Sequence, residues 1–289
     1  LIGLGLNWWP FVKWDENVLI LKTWVSISNP ESGVRIMGVL QRIALCYFFA
    51  SVILYYLKNH SAFYLSIILL LSYWILCYWG NPSDPYSLTG WFGTNIDRSI
   101  LGIAHMYKGE GIPFEPEGIA STLPAIVEVL FGYFAGTYIQ QKRKNYEMIS
   151  GLFVAGTAML IIGYLWSLGF PINKKIWTSS YVLYTSGLAM ICLSFFIYLL
   201  EFKNLSGKWS YFFEVFGKNP LVIYLFSELL VSCLYIIQIG NQSCFEWIYT
   251  HSFAHLPSYW ASLGFAVSYM LVCWLLGYIL NKYKIYIRV

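Results

Sequence analysis

Seven stretches of predominantly apolar residues recur along this chain, near 36–57, 61–79, 119–139, 148–168, 178–200, 219–238 and 259–280. About 20 residues at about 1.5 Å each cross about 30 Å of hydrocarbon. No water reaches that depth, so every backbone N–H and C=O must find its partner within the segment, and each stretch is predicted to be a helix. A soluble chain is excluded: 58% of the 289 residues are hydrophobic and only 11% are charged, which would leave large apolar patches facing water. The expected fold is all-α, a polytopic membrane helical bundle with seven complete transmembrane helices. The apolar run from Leu1 to Leu6 is read as the tail of an earlier helix, because it begins without Met and lacks the charged start of a signal peptide. No low-complexity linker or internal repeat divides the chain, so residues 1–289 are expected to form a single transmembrane domain with a long outer-face loop at 80–118.

Loop charges orient these spans. Lys58, Lys142, Arg143, Lys144, Lys203, Lys208, Lys218, Lys282, Lys284 and Arg288 fall on one side, opposed only by Glu147, Glu201 and Glu214. The other side carries seven Lys or Arg and nine acidic residues. The basic side should be cytoplasmic, together with the C-terminus at Val289. The net charge of +4 is therefore a topology signal. No basic-aromatic patch argues for nucleic acid.

Other features have ordinary readings. Cys46, Cys77, Cys192, Cys233 and Cys273 fall inside spans and Cys244 in an outer loop, so neither a disulfide framework nor a CxxC metal pattern is expected. Trp8, Trp9, Trp79, Trp166, Trp177, Trp209 and Trp260 stand near span ends, as an interfacial belt predicts. Gly132 and Gly136 form a small-xxx-small face, expected to let two helices pack closely. His60, His251 and His255 lie at loop edges without a motif.

Charge inside the apolar spans marks the candidate site. Arg42 sits in the opening turns of the first span, where a charge costs about 2.5 to 3.5 kcal/mol even on insertion scales, so something must hold it. Arg35 lies seven residues earlier, which on a continuous helix sets both guanidinium groups along one face, two forks suited to phosphate or carboxylate. The loop 80–118 carries aromatics with Asp97, Arg98, His105, Lys108, Glu115 and Glu117, and is expected to fold over the bundle. The run Glu115-Pro116-Glu117-Gly118 leads into a span. It reads either as a plain helix start or as a carboxylate, Glu117, facing Arg35 or Arg42 across the mouth of the bundle. Glu128 shares a helix face with Glu117, Ser121 and Pro124, and is read as protonated and hydrogen-bonded to a neighbouring helix. Glu228 is read as an ion pair opposite Arg42 or as a substrate contact.

Five blocks carry a resemblance: Arg35-Ile-Met-Gly-Val-Leu-Gln-Arg42; Ile96-Asp97-Arg98 with His105-Met106-Tyr107; Pro116-Glu117-Gly118-Ile119; Pro171 through Tyr181; and Gly217-Lys218-Asn219-Pro220-Leu221. In this order and spacing they resemble the heparan-alpha-glucosaminide N-acetyltransferase family and its bacterial relatives. The resemblance implies a transmembrane acyltransferase that takes acetyl from acetyl-CoA, its acyl donor, and passes it to an amine or hydroxyl of a sugar or glycan on the non-cytosolic side. It also implies a core of roughly ten spans, of which this chain matches the C-terminal portion. The family's catalytic histidine belongs to a His-x-x-Trp-x-Gly type segment that this sequence does not contain. Of the residues present, Glu117, Asp97 and His105 are the catalytic candidates. Arg35, Gln41, Arg42, Arg98, Asn173, Lys174, Ser180, Asn219 and Glu228 are candidates for binding substrate or acetyl-CoA. No metal is implied. The expected partners are the lipid bilayer and the glycan acceptor, with a homodimer the one protein partner considered. The short outer loops fit a bacterial inner membrane. Two rival classes remain open: a transporter or carrier of a glycan or anionic solute without chemistry, and a non-catalytic partner subunit.

Overall fold

The computed structural model describes residues 1–15, 18–26 and 29–287. Arg288 and Val289, which the loop charges assign to the basic side, lie outside the described residues. The chain divides into two compact units, Leu1–Leu4 with Trp24–Leu205 and Gly5–Thr23 with Ser206–Val289. The apolar start forms a short helix, α1 (Ile2–Trp8).

The larger unit is built from α2 (Val39–Tyr56), α3 (Asn59–Gly80), α4 (Phe92–Leu101), α5 (Ile119–Lys142), α6 (Tyr146–Trp166) and α7 (Ser179–Ile197), the last running on into a π turn at Tyr198–Phe202. Five long apolar helices here, α2, α3, α5, α6 and α7 with its π turn, are long enough to cross a membrane. Helix α5 is central, and its faces supply two of the buried clusters. Ala125, Ile126 and Leu130 pack on Cys46 and Ala50 of α2, while Val127 and Phe131 pack on Leu70 of α3 and Val182 of α7. Polar side chains cap the helix starts: Asn145 accepts from the Met148 N–H at 2.7 Å, and Thr178 receives the Tyr181 N–H.

The segment 80–118 does close over the helix ends, and it does so with secondary structure of its own. It contains α4 and a 3₁₀ turn at Ile103–His105. Its Trp91 and Phe114, both fully buried, join Tyr73 and Cys77 from α3 and Phe170 and Ile176 from the α6–α7 loop in an aromatic cluster. That cluster helps order a 39-residue connection: Trp91 and Phe114 of the segment, fully buried beside Tyr73 and Phe170, offset part of the entropy of fixing the loop.

The smaller unit contains a hairpin, β1 (Val12–Asp15) with β2 (Val18–Leu21), then α8 (Lys208–Lys218), α9 (Pro220–Ile236), a second small hairpin of β3 (Gln238–Ile239) and β4 (Gln242–Ser243), α10 (Cys244–Ser252) and α11 (Ser258–Lys282). Stacking of Phe212 on Trp274, with ring centroids 5.4 Å apart, ties α8 to α11. The window expected at 219–238 as a complete span is the exception among the seven. Helix α9 has only 17 residues, and it meets α8 at a bend of 79°. Pro220 removes an N–H from the ladder and Asn219 leaves helical geometry (φ −137°, ψ 51°), so a continuous helix cannot run through this point. Six described helices are long and apolar enough to span a bilayer, or seven if the bent pair counts as one.

Candidate functional site

The site lies in the larger unit, where the strand-like segment before α2 meets the start of α5. Arg35 is not on the α2 helix. Helix α2 begins at Val39 after an extended Gly38 (φ 171°), so the expected pair of arginines on one helix face is replaced by two cations on different kinds of backbone. The break frees Arg35 to turn toward the residues leading into α5. Its Nε donates to Glu115 Oε2 at 3.0 Å and its Nη2 reaches Glu115 Oε1, a two-pronged pairing, and also Glu117 Oε2. Glu115 is fully buried and also accepts from the backbone N–H of Tyr107 at 3.2 Å and of Glu117 at 3.3 Å. The Arg35 guanidinium lies over the Tyr107 ring at 4.9 Å. Burial alone would lower the Arg35 pKa, but the hydrogen bond and charge of Glu115, followed by those of Glu117, outweigh it and raise it. A carboxylate facing Arg35 is what the sequence suggests for Glu117. Glu115, the better-connected partner, is legible there only as a neighbour.

The start of α5 is capped from outside. Asp97, fully buried on α4, accepts from the backbone N–H of Ile119 at 2.8 Å and of Ala120 at 3.4 Å. Glu115 and Glu117, which could have served the helix start, are engaged with Arg35 instead. A side chain on Gly118 would collide with the Asp97 carboxylate, so the glycine is required by this close approach. Burial pushes the Asp97 carboxyl up to about 6, against the downward pull of the two backbone donors. Its Oδ2 has no hydrogen-bond partner.

Arg42 stands one turn into α2 and is 5% exposed. Its Nη2 hydrogen-bonds Ser121 Oγ and lies 3.4 Å from the Gly118 carbonyl. The guanidinium carbon sits 4.6 Å from the centroid of the Trp177 ring. Its Nε and Nη1 are buried without a hydrogen-bond partner. A buried guanidinium held by a hydroxyl, a carbonyl and an aromatic face retains donors for an anion or a polarised carbonyl.

Trp177 is the residue that links these parts; in the sequence it reads as a belt residue and stands within the Pro171–Tyr181 block with no role assigned to it. It does not point to lipid. Its backbone is left-handed (φ 54°), a conformation that costs a non-glycine residue on the order of 1–3 kcal/mol. Besides covering Arg42, its Nε1 donates to Glu128 Oε2 at 3.2 Å, and Glu128 Oε1 accepts from Thr185 Oγ1 at 3.1 Å. Glu128 is thus hydrogen-bonded to the α7 region, as expected of an acid at that depth. Trp166 also turns inward, against Trp74 and Phe170.

A cleft of about 360 Å³ opens beside these groups, lined by Arg35, Tyr107, Glu110, Pro116, Glu117, Lys174, Lys175 and Trp177. Its rim pairs Lys175 with Glu110. Of the sequence candidates, Arg35, Glu117 and Lys174 line the cleft, and Arg42 lies against its Trp177 wall. The others are engaged elsewhere. His105 Nδ1 lies 2.7 Å from the Val34 carbonyl and its ring stacks near Trp24. Gln41 donates to the Ile36 carbonyl at 2.8 Å, and Arg98 to the Pro113 carbonyl at 3.4 Å. Asn173 Oδ1 accepts from Lys175 N at 2.8 Å, and Ser180 Oγ donates to the Phe170 carbonyl at 2.5 Å. In the smaller unit Asn219 bonds the Ile285 carbonyl and the Ile287 N–H, fixing the chain after α11, and Glu228 lies partly buried on α9.

A second hollow, of about 270 Å³, runs between α5 and α7 and is lined by Glu128, Gly132, Ala135, Gly136, Ser186 and Leu193 among others. It corrects the packing expected of the Gly132–Gly136 face: a side chain added at either glycine would meet open space. The close helix contact is made instead by α6 and α7, where a Cβ on Gly187 would fall 2.6 Å from the Gly156 carbonyl oxygen.

No family model matches the chain. Two mammalian proteins are similar to it. The heparan-alpha-glucosaminide N-acetyltransferase of Mus musculus is 26% identical over 74% of this chain and 42% of its own length. That of Homo sapiens is 24% identical over 96% of this chain and 49% of its own length. The chain spans about half the length of the curated relatives it matches. The resemblance carried by the five sequence blocks is therefore borne out as a distant similarity reaching across most of the chain.

Proposed function

We propose that this chain is the transmembrane part of an acetyltransferase that moves acetyl from acetyl-CoA to an amine or hydroxyl of a sugar on the non-cytosolic side. The observation that carries this reading is Arg42: a nearly buried guanidinium with two unpartnered nitrogens, one aromatic ring away from a charged cleft. The similarity to two proteins named for N-acetyl transfer to a glucosaminide supports it. Acetyl-CoA brings the acetyl group as a thioester, and the orphaned nitrogens of Arg42, with Lys174 at the cleft, suit its carbonyl or phosphate oxygens.

Each residue then has a task. Arg42 stabilises negative charge as it develops on the acyl oxygen, the role for which a fixed donor in a dry site is most effective. Glu117, oriented by Arg35, accepts a hydrogen bond from the acceptor amine or hydroxyl and helps remove its proton. Tyr107 and Trp177 offer ring faces to the apolar side of a sugar. Asp97 and His105 act at one remove, Asp97 by fixing the start of α5 and His105 by holding the segment that carries Arg35. Lys174 attracts anionic groups to the cleft mouth.

The test uses full-length protein with radiolabelled acetyl-CoA and an amino sugar. Label should appear on the sugar, and Arg42→Ala and Glu117→Ala should each abolish transfer while the protein still inserts and folds. Wild-type activity in both variants rejects the site. A sugar that crosses sealed vesicles unlabelled and unaltered would instead establish the carrier class.

A further inference from the structure

One hydrogen bond, from Trp177 to Glu128, connects the linings of two hollows. The charged cleft has Trp177 in its wall. The hollow between α5 and α7 is lined by Glu128, the acceptor of the Trp177 indole N–H. Arg42 lies against the face of the same ring.

Polar atoms beside this ring and in the second hollow are poorly satisfied. Arg42 Nε and Nη1 have no partner, nor has Ser186 Oγ, whose residue is 7% exposed and lines the second hollow. Buried donors without acceptors are uncommon in finished cores and mark places that something else must satisfy. Hydrogen bonding holds the ring that covers Arg42 at one point only, Nε1 to Glu128; the rest of its support is the guanidinium face, an edge contact with Tyr181 at 5.1 Å and apolar packing against residues of α2, α3, α5 and α7. Its backbone, by contrast, is pinned on both sides. Tyr73 donates to the Ile176 carbonyl at 2.5 Å, and Thr178 N donates to the Asn173 carbonyl at 3.1 Å while its Oγ1 donates to the Pro171 carbonyl at 2.9 Å. Any movement of the indole must therefore come from rotation about its own side-chain bonds, with the loop left in place. Left-handed backbone at a tryptophan is a further sign that its position is imposed by its surroundings.

We propose that Trp177 is a swinging partition. In the closed position described here it separates the charged cleft from Arg42 and from the α5–α7 hollow. Rotated, it joins the two hollows and exposes the free nitrogens of Arg42 to a ligand in the cleft. The closed position is fastened by the Glu128 hydrogen bond, so Glu128 sets the balance between shut and open. This device does not depend on which reaction or transport step the site serves.

The experiment reads access. Ser121, fully buried and bonded to Arg42, is replaced in the full chain by Ser121→Cys, and a water-soluble maleimide is added to detergent-solubilised protein. Labelled peptides are located by mass, with buried Cys77 and Cys273 as internal controls. Labelling of the new cysteine should be slow with Trp177 present. It should rise about tenfold in Trp177→Ala, which corresponds to ~1.4 kcal/mol in the closed-to-open balance. Glu128→Leu, which removes the fastening and leaves the ring in place, should raise it in the same direction while Cys77 and Cys273 stay protected. If Glu128→Leu leaves the rate unchanged, the partition is overturned, even if Trp177→Ala reacts through general unfolding that exposes the control cysteines. An unchanged rate in Trp177→Ala with the controls protected overturns it equally.

Discussion

At the scale of single residues, the site depends on how its buried charges are compensated. Glu115 receives four donor contacts, two from Arg35 and two from backbone, in full burial. Glu115→Ala should therefore destabilise the protein by about 1–3 kcal/mol, the cost of stripping a half-buried cation and two backbone donors of their main acceptor, read as a lowered unfolding midpoint in detergent. Glu117→Ala removes a partly exposed second carboxylate from the same cation and should cost markedly less stability. Asp97 makes a pH prediction. Its carboxyl is raised from 3.8 to about 6 in the folded chain, so between those values the native protein holds a proton that the unfolded chain has released. The stability this group contributes is full below about pH 4 and is lost as pH rises through 6, a swing of roughly 3 kcal/mol. Asp97→Asn should flatten that part of the stability profile, and an unchanged profile would mean that another group carries it. Arg42 stood out in the sequence because charge at that depth demands an explanation. Trp177 did not, because a tryptophan near a span end is ordinarily accounted for by the lipid interface, and neither its left-handed backbone nor its position over Arg42 leaves a trace in the sequence pattern.

At the scale of elements, helix identity was legible and helix contacts were not. Apolar length alone located α2, α3, α5, α6, α7 and α11, since the bilayer fixes both the length and the internal pairing of a span. It failed at α9, where Asn219-Pro220 interrupts a run that is apolar enough to be taken for a whole span. The small-xxx-small face of α5 was equally visible, but a motif on one helix specifies only half of a contact, and the neighbouring helix goes elsewhere. A paired substitution separates the two situations. Gly187→Ala drives a methyl into the α6 backbone and should cost about 1–3 kcal/mol, whereas Gly132→Ala enters open space and should be neutral or stabilising by about 0.4–1 kcal/mol. Comparative unfolding of the two variants checks this, and equal losses would contradict the packing of α6 on α7.

At the scale of the whole molecule, the charge asymmetry of the loops makes a topological prediction. Cysteines placed at Arg143 and at Lys108 should react with an impermeant thiol reagent from opposite sides of sealed vesicles, with position 143 on the cytosolic side. Labelling of both from one side would break the proposed topology, and exchanged sides would reverse it and with it the direction of acetyl transfer. The bend between α8 and α9 reaches further, into the choice of membrane. Seventeen residues rise only about 25 Å, some 5 Å short of an average hydrocarbon core, so a bilayer that α9 crossed by itself would have to thin beside it. Each added increment of acyl-chain length enlarges that mismatch. Reconstitution in phospholipids of increasing chain length should then lower the unfolding temperature of the protein stepwise, and an unchanged temperature would mean that α9 does not cross the bilayer alone.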